Sequence, residues 1–450
     1  MRLVLRDVRP WGGDPMDVAL AGGTIVAVGP GLPACGEEID GGGGVLLPGL
    51  HDHHLHLLAL AARQQSVDLA GLTDPGAVAR ALRAAPGAGW IRAVGYDERA
   101  CGLPDAALLD GWVADRPVRL ADRTGALRVL NSAALALLAA ELPPGAERDA
   151  AGRPTGRFWR EDAWLARALS GALPDLGAEG ARLAALGLTA LTDATAHNGP
   201  EEAAILSGAV PQRLTLMGSE ELAAGEGYTL GPLKLAFDER DAPPLEDLAA
   251  RIGAARVAGR AVAAHCVTEA ELALYLAALD LAGGARTGDR IEHGGLIPAA
   301  FVPVIAAAGL IVCTNPAFIH DRGERYRETL GVARGEELYP AASLAAAGIA
   351  LLGGSDAPYA CADPWLAMRS AVVRQTAGGA VLGAGQRLAP MTALKLYCRG
   401  KIAPGATADL ILCEGTLADV LADLTAERLR LTLIGGRVAF SRAGAASIRQ

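Results

Sequence analysis

Pro48-Gly49-Leu50-His51-Asp52-His53-His54-Leu55-His56 is the stretch on which the reading of this chain turns. An apolar run, Val45-Leu46-Leu47, leads into it. In a β-strand successive side chains point to opposite faces, so His54 and His56 share one face and are able to hold one cation between them. Neutral imidazole is a common ligand for borderline metals such as zinc. Asp52 lies in phase with that pair, whereas His51 and His53 lie on the other face. A histidine-rich surface loop is the ordinary alternative, since four of the eight histidines sit here.

Later strand ends supply matching chemistry. His265 closes the run Ala261-Val262-Ala263-Ala264, and His293 follows Asp289-Arg290-Ile291-Glu292. Each stands where an apolar strand gives way to loop, which is where barrel active sites lie. Asp356, in Leu351-Leu352-Gly353-Gly354-Ser355-Asp356-Ala357-Pro358, presents a carboxylate after another apolar strand. Such a group can bind a metal and also take a proton from bound water and return it to a leaving group. Its plain alternative is a helix cap. Lys234 is a cation inside the apolar run Gly231-Pro232-Leu233-Lys234-Leu235-Ala236-Phe237. Burying an ammonium without a partner is costly. Either this side chain escapes to water or its charge is altered, as it would be in a carbamate formed with carbon dioxide.

The chain has 450 residues, enough for one barrel of ~250 residues or more plus a smaller domain. Apolar residues make up 51% and aromatics 4%, and mean hydropathy is +0.26, so a large aliphatic core is available. Net charge is -9 with no basic stripe, which argues against a nucleic-acid partner. No apolar run reaches membrane-spanning length. The N-terminus lacks the pattern of a signal peptide. Seven scattered cysteines show neither zinc-knuckle spacing nor a disulfide framework, which suits a reducing cytoplasm.

Residues 1–48 and 399–450 read as short strands with Gly-rich turns, including a hairpin at Ala21-Gly22-Gly23, so both ends are expected to build one small β-sandwich. Residues 49–398 alternate apolar runs with Ala-rich helical stretches, the pattern of a (β/α)8 barrel. Its expected strands are Leu50–Leu57, Val118–Asp122, Thr189–Asp193, either Leu214–Met217 or Leu233–Phe237, Ala261–His265, Arg290–Glu292, Leu310–Thr314 and Ala350–Gly354. Insertions are expected near 62–116 and 140–180.

Taken together, these residues resemble the amidohydrolase superfamily, and most closely its family-3 branch of N-substituted formamide deformylase-like and D-aminoacylase-like proteins. The likeness extends through Gly89-Trp90-Ile91-Arg92-Ala93-Val94-Gly95-Tyr96-Asp97, Asn131-Ser132-Ala133-Ala134-Leu135, Gly152-Arg153-Pro154-Thr155-Gly156, Arg290-Ile291-Glu292-His293-Gly294 and Gly354-Ser355-Asp356-Ala357-Pro358. It implies an α/β fold: a distorted (β/α)8 TIM barrel flanked by the terminal β-sandwich. It implies one or two divalent metals, zinc first among candidates. His54 and His56 would bind one, His265 and His293 the second, Lys234 would bridge them as a carboxylated lysine, and Asp356 would serve the first metal and proton transfer. The resemblance also admits a homodimer.

The implied reaction is hydrolysis of a C–N bond in a small-molecule amide, N-formyl compound or cyclic amide by metal-activated water, with Asp356, Lys234 and His293 as catalytic groups. Should Lys234 stay unmodified, a single metal with His293 polarising the substrate remains open. Two rival readings are a mononuclear deaminase of an amidine-like heterocycle and a non-catalytic scaffold. His320, Arg322, Tyr96, Asp97 and Trp159 are candidate substrate contacts; His197 lines the same mouth or the surface, and Cys266 is expected to pack away from the metal. Three departures from the family stand out. Ala126 and Val129 replace a usual His and Trp, Thr268-Glu269 replaces a usual Gly-Asp, and the region near 391–400 is expected to be short and to lack a helix.

Overall fold

In a computed structural model, the structure describes residues 2–34, 36–123, 126–138, 141–161, 164–165, 168, 173–335, 337–442 and 448–449. The chain divides into two compact units, one of residues 1–60 and 176–450 and one of residues 61–175.

The first unit contains an eight-stranded, all-parallel sheet curled into a nearly closed barrel. Its strands are β1 (Leu50–Leu55), β2 (Leu188–Asp193), β3 (Arg213–Gly218), β4 (Thr229–Leu235), β5 (Val262–Cys266), β6 (Arg290–His293), β7 (Ile311–Thr314) and β8 (Leu351–Gly353). Strands such as β5, β7 and β8 are mainly apolar because a parallel strand is covered on both faces, whereas β1 and β6 carry the buried polar side chains of the barrel interior. Helices such as Leu245–Val257 and Glu269–Leu281 cross over between strands. The departure at Thr268 has a local reason: its hydroxyl accepts a hydrogen bond from the Glu271 amide while Glu271 accepts from the Thr268 amide, a capping box that starts the second of these helices.

Strand order runs β8-β7-β6-β5-β4-β3-β2-β1, leaving β1 and β8 to meet without a ladder between them. The loop after β8 closes that seam. The Asp356 amide donates to the His54 carbonyl at 2.7 Å, and the His56 amide donates to the Ala357 carbonyl at 2.9 Å. Gly354 permits the approach. A Cβ there would lie 2.5 Å from the His54 Cβ and 3.0 Å from its backbone nitrogen.

Both termini join one nine-stranded sheet. Val45–Pro48 pairs antiparallel with Leu410–Cys413, so the N-terminal and C-terminal segments are stitched together directly before the chain enters β1. The hairpin between Met16–Ala21 and Thr24–Gly29 turns at Gly22 and Gly23, whose φ values of +57° and +82° suit a two-residue turn that L side chains resist. Leu3, Leu5, Val18, Leu20, Ile25, Leu410, Leu412, Leu431 and Leu433 form this sheet's core.

The second unit is built on a six-stranded sheet in the order Ala146–Arg148, Pro154–Trp159, Leu127–Leu130, Val118–Asp122, Ile91–Tyr96, Val67–Asp68. Asn131 is its fully buried node. Its side-chain oxygen accepts from the Val118 amide at 2.9 Å and the Ala134 amide at 3.0 Å; its nitrogen donates to the carbonyls of Val113 at 2.9 Å and Arg116 at 2.8 Å. All four hydrogen-bonding positions of the amide are used, so the Asn-Ser motif is accounted for by structure.

Three expectations change. Val118–Asp122 is not a barrel strand but belongs to the six-stranded sheet. Leu214–Met217 and Leu233–Phe237 are not alternatives, because β3 and β4 occupy both places. The stretch near 391–400 does hold a helix, Pro390–Tyr397, which packs Tyr397 over β8. Among the described residues no helix is long and apolar enough to cross a membrane.

Gly354→Ala is expected to lower the unfolding free energy by about 1–3 kcal/mol, since the methyl meets strand backbone that has no rotamer to yield. Urea unfolding of the variant beside the parent chain measures this, and an unchanged midpoint would contradict the account of the seam.

Candidate metal centre

Three side-chain donors converge where the seam closes. His54 Nε2 lies 3.3 Å and His56 Nε2 3.0 Å from the same carboxylate oxygen of Asp356. The ligand atoms of these three residues all fall within 4.8 Å of one another. Four imidazoles continue the array. Ring centroids are 5.6 Å apart for His56 and His54, 4.6 Å for His54 and His293, and 4.6 Å for His293 and His265. Segments far apart in sequence thus bring four imidazoles and one carboxylate, side chains of metal-ligating type, to the C-terminal ends of β1, β5, β6 and β8.

Backbone conformation aims two of them. His293 and Asp356 have φ of +68° and +57°, the left-handed region that non-glycine residues occupy at a cost of about 1–2 kcal/mol. Strict alternation would send His293 to the face opposite Glu292; the left-handed turn carries it out of strand phase. Positive φ at two site residues and nearby hydrogen bonds that hold them mark a locally strained, over-determined arrangement.

Each inner imidazole is anchored through Nδ1. His54 Nδ1 meets Glu292 Oε2 at 2.5 Å, His56 Nδ1 meets Thr195 Oγ1 at 2.9 Å, and His293 Nδ1 meets Asn315 Oδ1 at 2.8 Å. The Asn315 amide nitrogen donates to the Gly354 carbonyl at 2.9 Å, so its oxygen faces His293 and Nδ1 must be the donor. His293 therefore presents a bare Nε2 lone pair, the form a metal requires.

The charges agree with that use. Burial, with Lys234 nearby, holds His293 and His265 below their usual values, so both are neutral. Burial would raise the Asp356 carboxyl, but hydrogen bonds from His54 and His56 and the charge of His54 hold it well below the usual carboxylate range. Burial would lower His54, yet Glu292 and Asp356 raise it on balance. A proton there occupies the place a cation would take between imidazole and carboxylate, and metal binding displaces such protons. By donor type and spacing the residues fit a divalent metal.

Lys234 stands in β4 at 4% exposure, and its Nζ is buried with no hydrogen-bond partner. It does not reach solvent. Burial pushes its pKa down even though Glu292 and Asp356 raise it.

The remaining candidates separate. Arg322 donates to the Tyr359 carbonyl at 2.8 Å and lies 4.5 Å above the Phe318 ring; the Tyr359 ring stands 5.6 Å from His56. His320 bonds Asp321 through Nδ1 at 2.8 Å. Tyr96, Asp97 and Trp159 belong to the second unit and are engaged there. The Tyr96 hydroxyl donates to the Gly102 carbonyl at 2.9 Å, Asp97 caps a short helix and pairs with Arg99 at 3.0 Å, and the Trp159 indole donates to Glu147 at 3.2 Å. His197 is exposed and Cys266 is buried. Glu292, Thr195, Asn315 and Tyr359 carry no role in the sequence reading; only Glu292 leaves a signal there, as an acid two residues from Arg290 in a short strand.

A nearly closed parallel barrel with histidines and an aspartate at its C-terminal mouth defines the class of metal-dependent hydrolase barrels. The chain belongs to the amidohydrolase family, whose model Amidohydro_3 matches residues 37–440. It is 26% identical over 481 residues to the putative amidohydrolase YtcJ of Bacillus subtilis, covering 90% of this chain and 91% of that one. It is 24% identical over 517 residues to the N-substituted formamide deformylase of Arthrobacter pascens, covering 95% of each. Its fold is similar to that of an uncharacterized metal-dependent hydrolase from Pyrococcus furiosus, with a TM-score of 0.76 at 20% identity, covering 93% of this chain and 100% of that one.

Lys234→Met keeps the volume and removes the unpaired polar end. It is expected to raise the unfolding free energy of the metal-free protein by about 1–3 kcal/mol. Denaturant titration after dialysis against chelator reads this directly; a loss of stability would mean that the ammonium is well paired.

Proposed function

We propose that this amidohydrolase cleaves a C–N bond of an amide, N-formyl compound or cyclic amide, using His54, His56 and Asp356 to hold one divalent cation, zinc first among candidates. The observation that carries the reading is the meeting of two imidazole nitrogens on one oxygen of Asp356, at 3.3 and 3.0 Å. His265 and His293 would hold a second cation. The bare Nε2 of His293 suits that role better than hydrogen bonding to a carbonyl, for which it would need a proton. When bound, the metal lowers the pKa of water toward neutrality and polarises the scissile carbonyl.

Lys234 joins the centre in this reading as a carbamate. Its burial favours the neutral amine, which attacks carbon dioxide; an N–C bond forms and one proton leaves. The resulting anion would bridge the two positions. Asp356 is ionised and accepts the proton that the attacking water gives up. It returns that proton to the departing nitrogen, so the amine leaves neutral. Arg322 and His320, on the helix that follows β7, and Tyr359, in the loop after β8, would contact substrate. The match along 95% of an N-substituted formamide deformylase supports N-formyl compounds as the first substrates to try.

Chelator treatment is expected to abolish hydrolysis, and added zinc to restore it. Asp356→Asn should reduce kcat/KM by about 10²–10⁴-fold, and His54→Ala should lose both bound metal and turnover, each with an unchanged far-UV circular dichroism spectrum. Formate and amine release from N-substituted formamides reads the activity. Full turnover by either variant refutes the assigned roles, and ammonia release from amidine heterocycles in place of formamide cleavage would point to deamination.

A further inference from the structure

The proposal here rests on the metal centre just described and concerns a residue that touches neither metal nor substrate. Glu292 is fully buried in β6. Its Oε2 lies 2.5 Å from His54 Nδ1, and its Oε1 lies 2.7 Å from Arg290 Nε. Arg290 Nη2 reaches Oε2 at 3.1 Å and also donates to the His53 carbonyl at 2.9 Å. The guanidinium thus grips the carboxylate with two donors and ties it to β1 next to His54.

We infer that Glu292, braced by Arg290, is the positioning residue that fixes the tautomer and donor strength of His54. An ionised carboxylate only accepts hydrogen bonds, so Nδ1 keeps a proton, and Nε2 is the nitrogen left to offer its lone pair once a metal displaces the proton between it and Asp356. Hydrogen bonding to a carboxylate also makes an imidazole a stronger ligand than hydrogen bonding to a neutral group does. His56 and His293 are anchored by a hydroxyl and an amide. Of these three histidines, His54 alone has an anionic anchor. Burying two charged groups inside a barrel is expensive, and apolar residues of the same volume would often be as stable or more so. That expense, placed directly behind a ligand atom, is consistent with selection for the ligand rather than for the fold.

Cys313 pairs in register with Glu292 on β7 and completes a second group of buried metal-binding side chains with His54 and Glu292. That group competes poorly as a cation site in this geometry, because the Arg290 guanidinium already holds both oxygens of Glu292 and a metal there would meet a fixed positive charge.

The test is zinc affinity of the full chain, measured by chelator competition, together with the visible spectrum of the cobalt(II)-substituted protein. Glu292→Gln keeps an acceptor for Nδ1 but removes the charge, and is expected to bind zinc about 10-fold more weakly. Arg290→Met with Glu292→Leu removes both charges and the anchor together, and is expected to bind about 100-fold more weakly. Both should shift the cobalt spectrum, a change that loss of packing elsewhere would not produce. If Glu292→Gln does not fold, the double variant, which removes the Arg290–Glu292 pair without stranding either partner, decides alone. Parental zinc affinity and an unchanged cobalt spectrum in a folded variant overturn the inference while the metal centre stands. His56→Ala is the control for the centre itself: if the parent does not bind zinc, or if His56→Ala binds it as tightly as the parent, the centre is wrong and this role falls with it.

Discussion

Charge buried inside the barrel is the constraint from which the rest of this structure follows. Carboxylates, a guanidinium and an ammonium lie where water does not reach, and each such group is costly unless paired. The pairing runs as a chain: Arg290 to Glu292, Glu292 to His54, His54 and His56 to Asp356. Its members come from β1, β6 and the loop after β8. Folding the barrel and assembling the centre are therefore coupled, because beyond the Arg290–Glu292 pair within β6 every link of the chain joins different segments.

That coupling explains the care taken at the seam. A barrel whose first and last strands shared a continuous ladder would hold them at one fixed spacing, about 4.8 Å. Here Gly354 lets the loop slide against His54, and two backbone hydrogen bonds replace the ladder. The carboxylate of Asp356 is brought to its imidazoles by main-chain contacts rather than by a long flexible side chain. A short side chain on a clamped backbone loses little conformational entropy when it takes up its position.

The sequence reveals the centre unevenly, and the reason is periodicity. Alternation along β1 places His54 and His56 together, and apolar runs followed by small residues mark His265 and Asp356. The same alternation misleads at β6. It sets Glu292 and His293 on opposite faces, so choosing His293 for the site discards Glu292; the φ of +68° that allows both to serve is invisible in residue types. Thr195 and Asn315 are neutral polar residues that become informative only once they are seen against an imidazole. Val118–Asp122 shows a different limit. Its pattern announces a strand correctly, but nothing within five residues says which sheet it will join.

Lys234 is the one link in the buried chain that is not closed. Its Nζ has no hydrogen-bond partner, although Glu292 and Asp356 exert their field on it. An ammonium left so would be a defect, since orphaned buried polar groups cost about 1–3 kcal/mol. A neutral amine tolerates burial better than an ammonium, and its free lone pair makes it reactive. The environment that makes this lysine a poor structural residue therefore makes it a good nucleophile. Carbamate formation would give it a negative charge and place an anion among imidazoles that present lone pairs, an arrangement that only cations between them can stabilise. The unpaired lysine and the lone pairs aimed at a common region are then two halves of one requirement, which metal binding would meet.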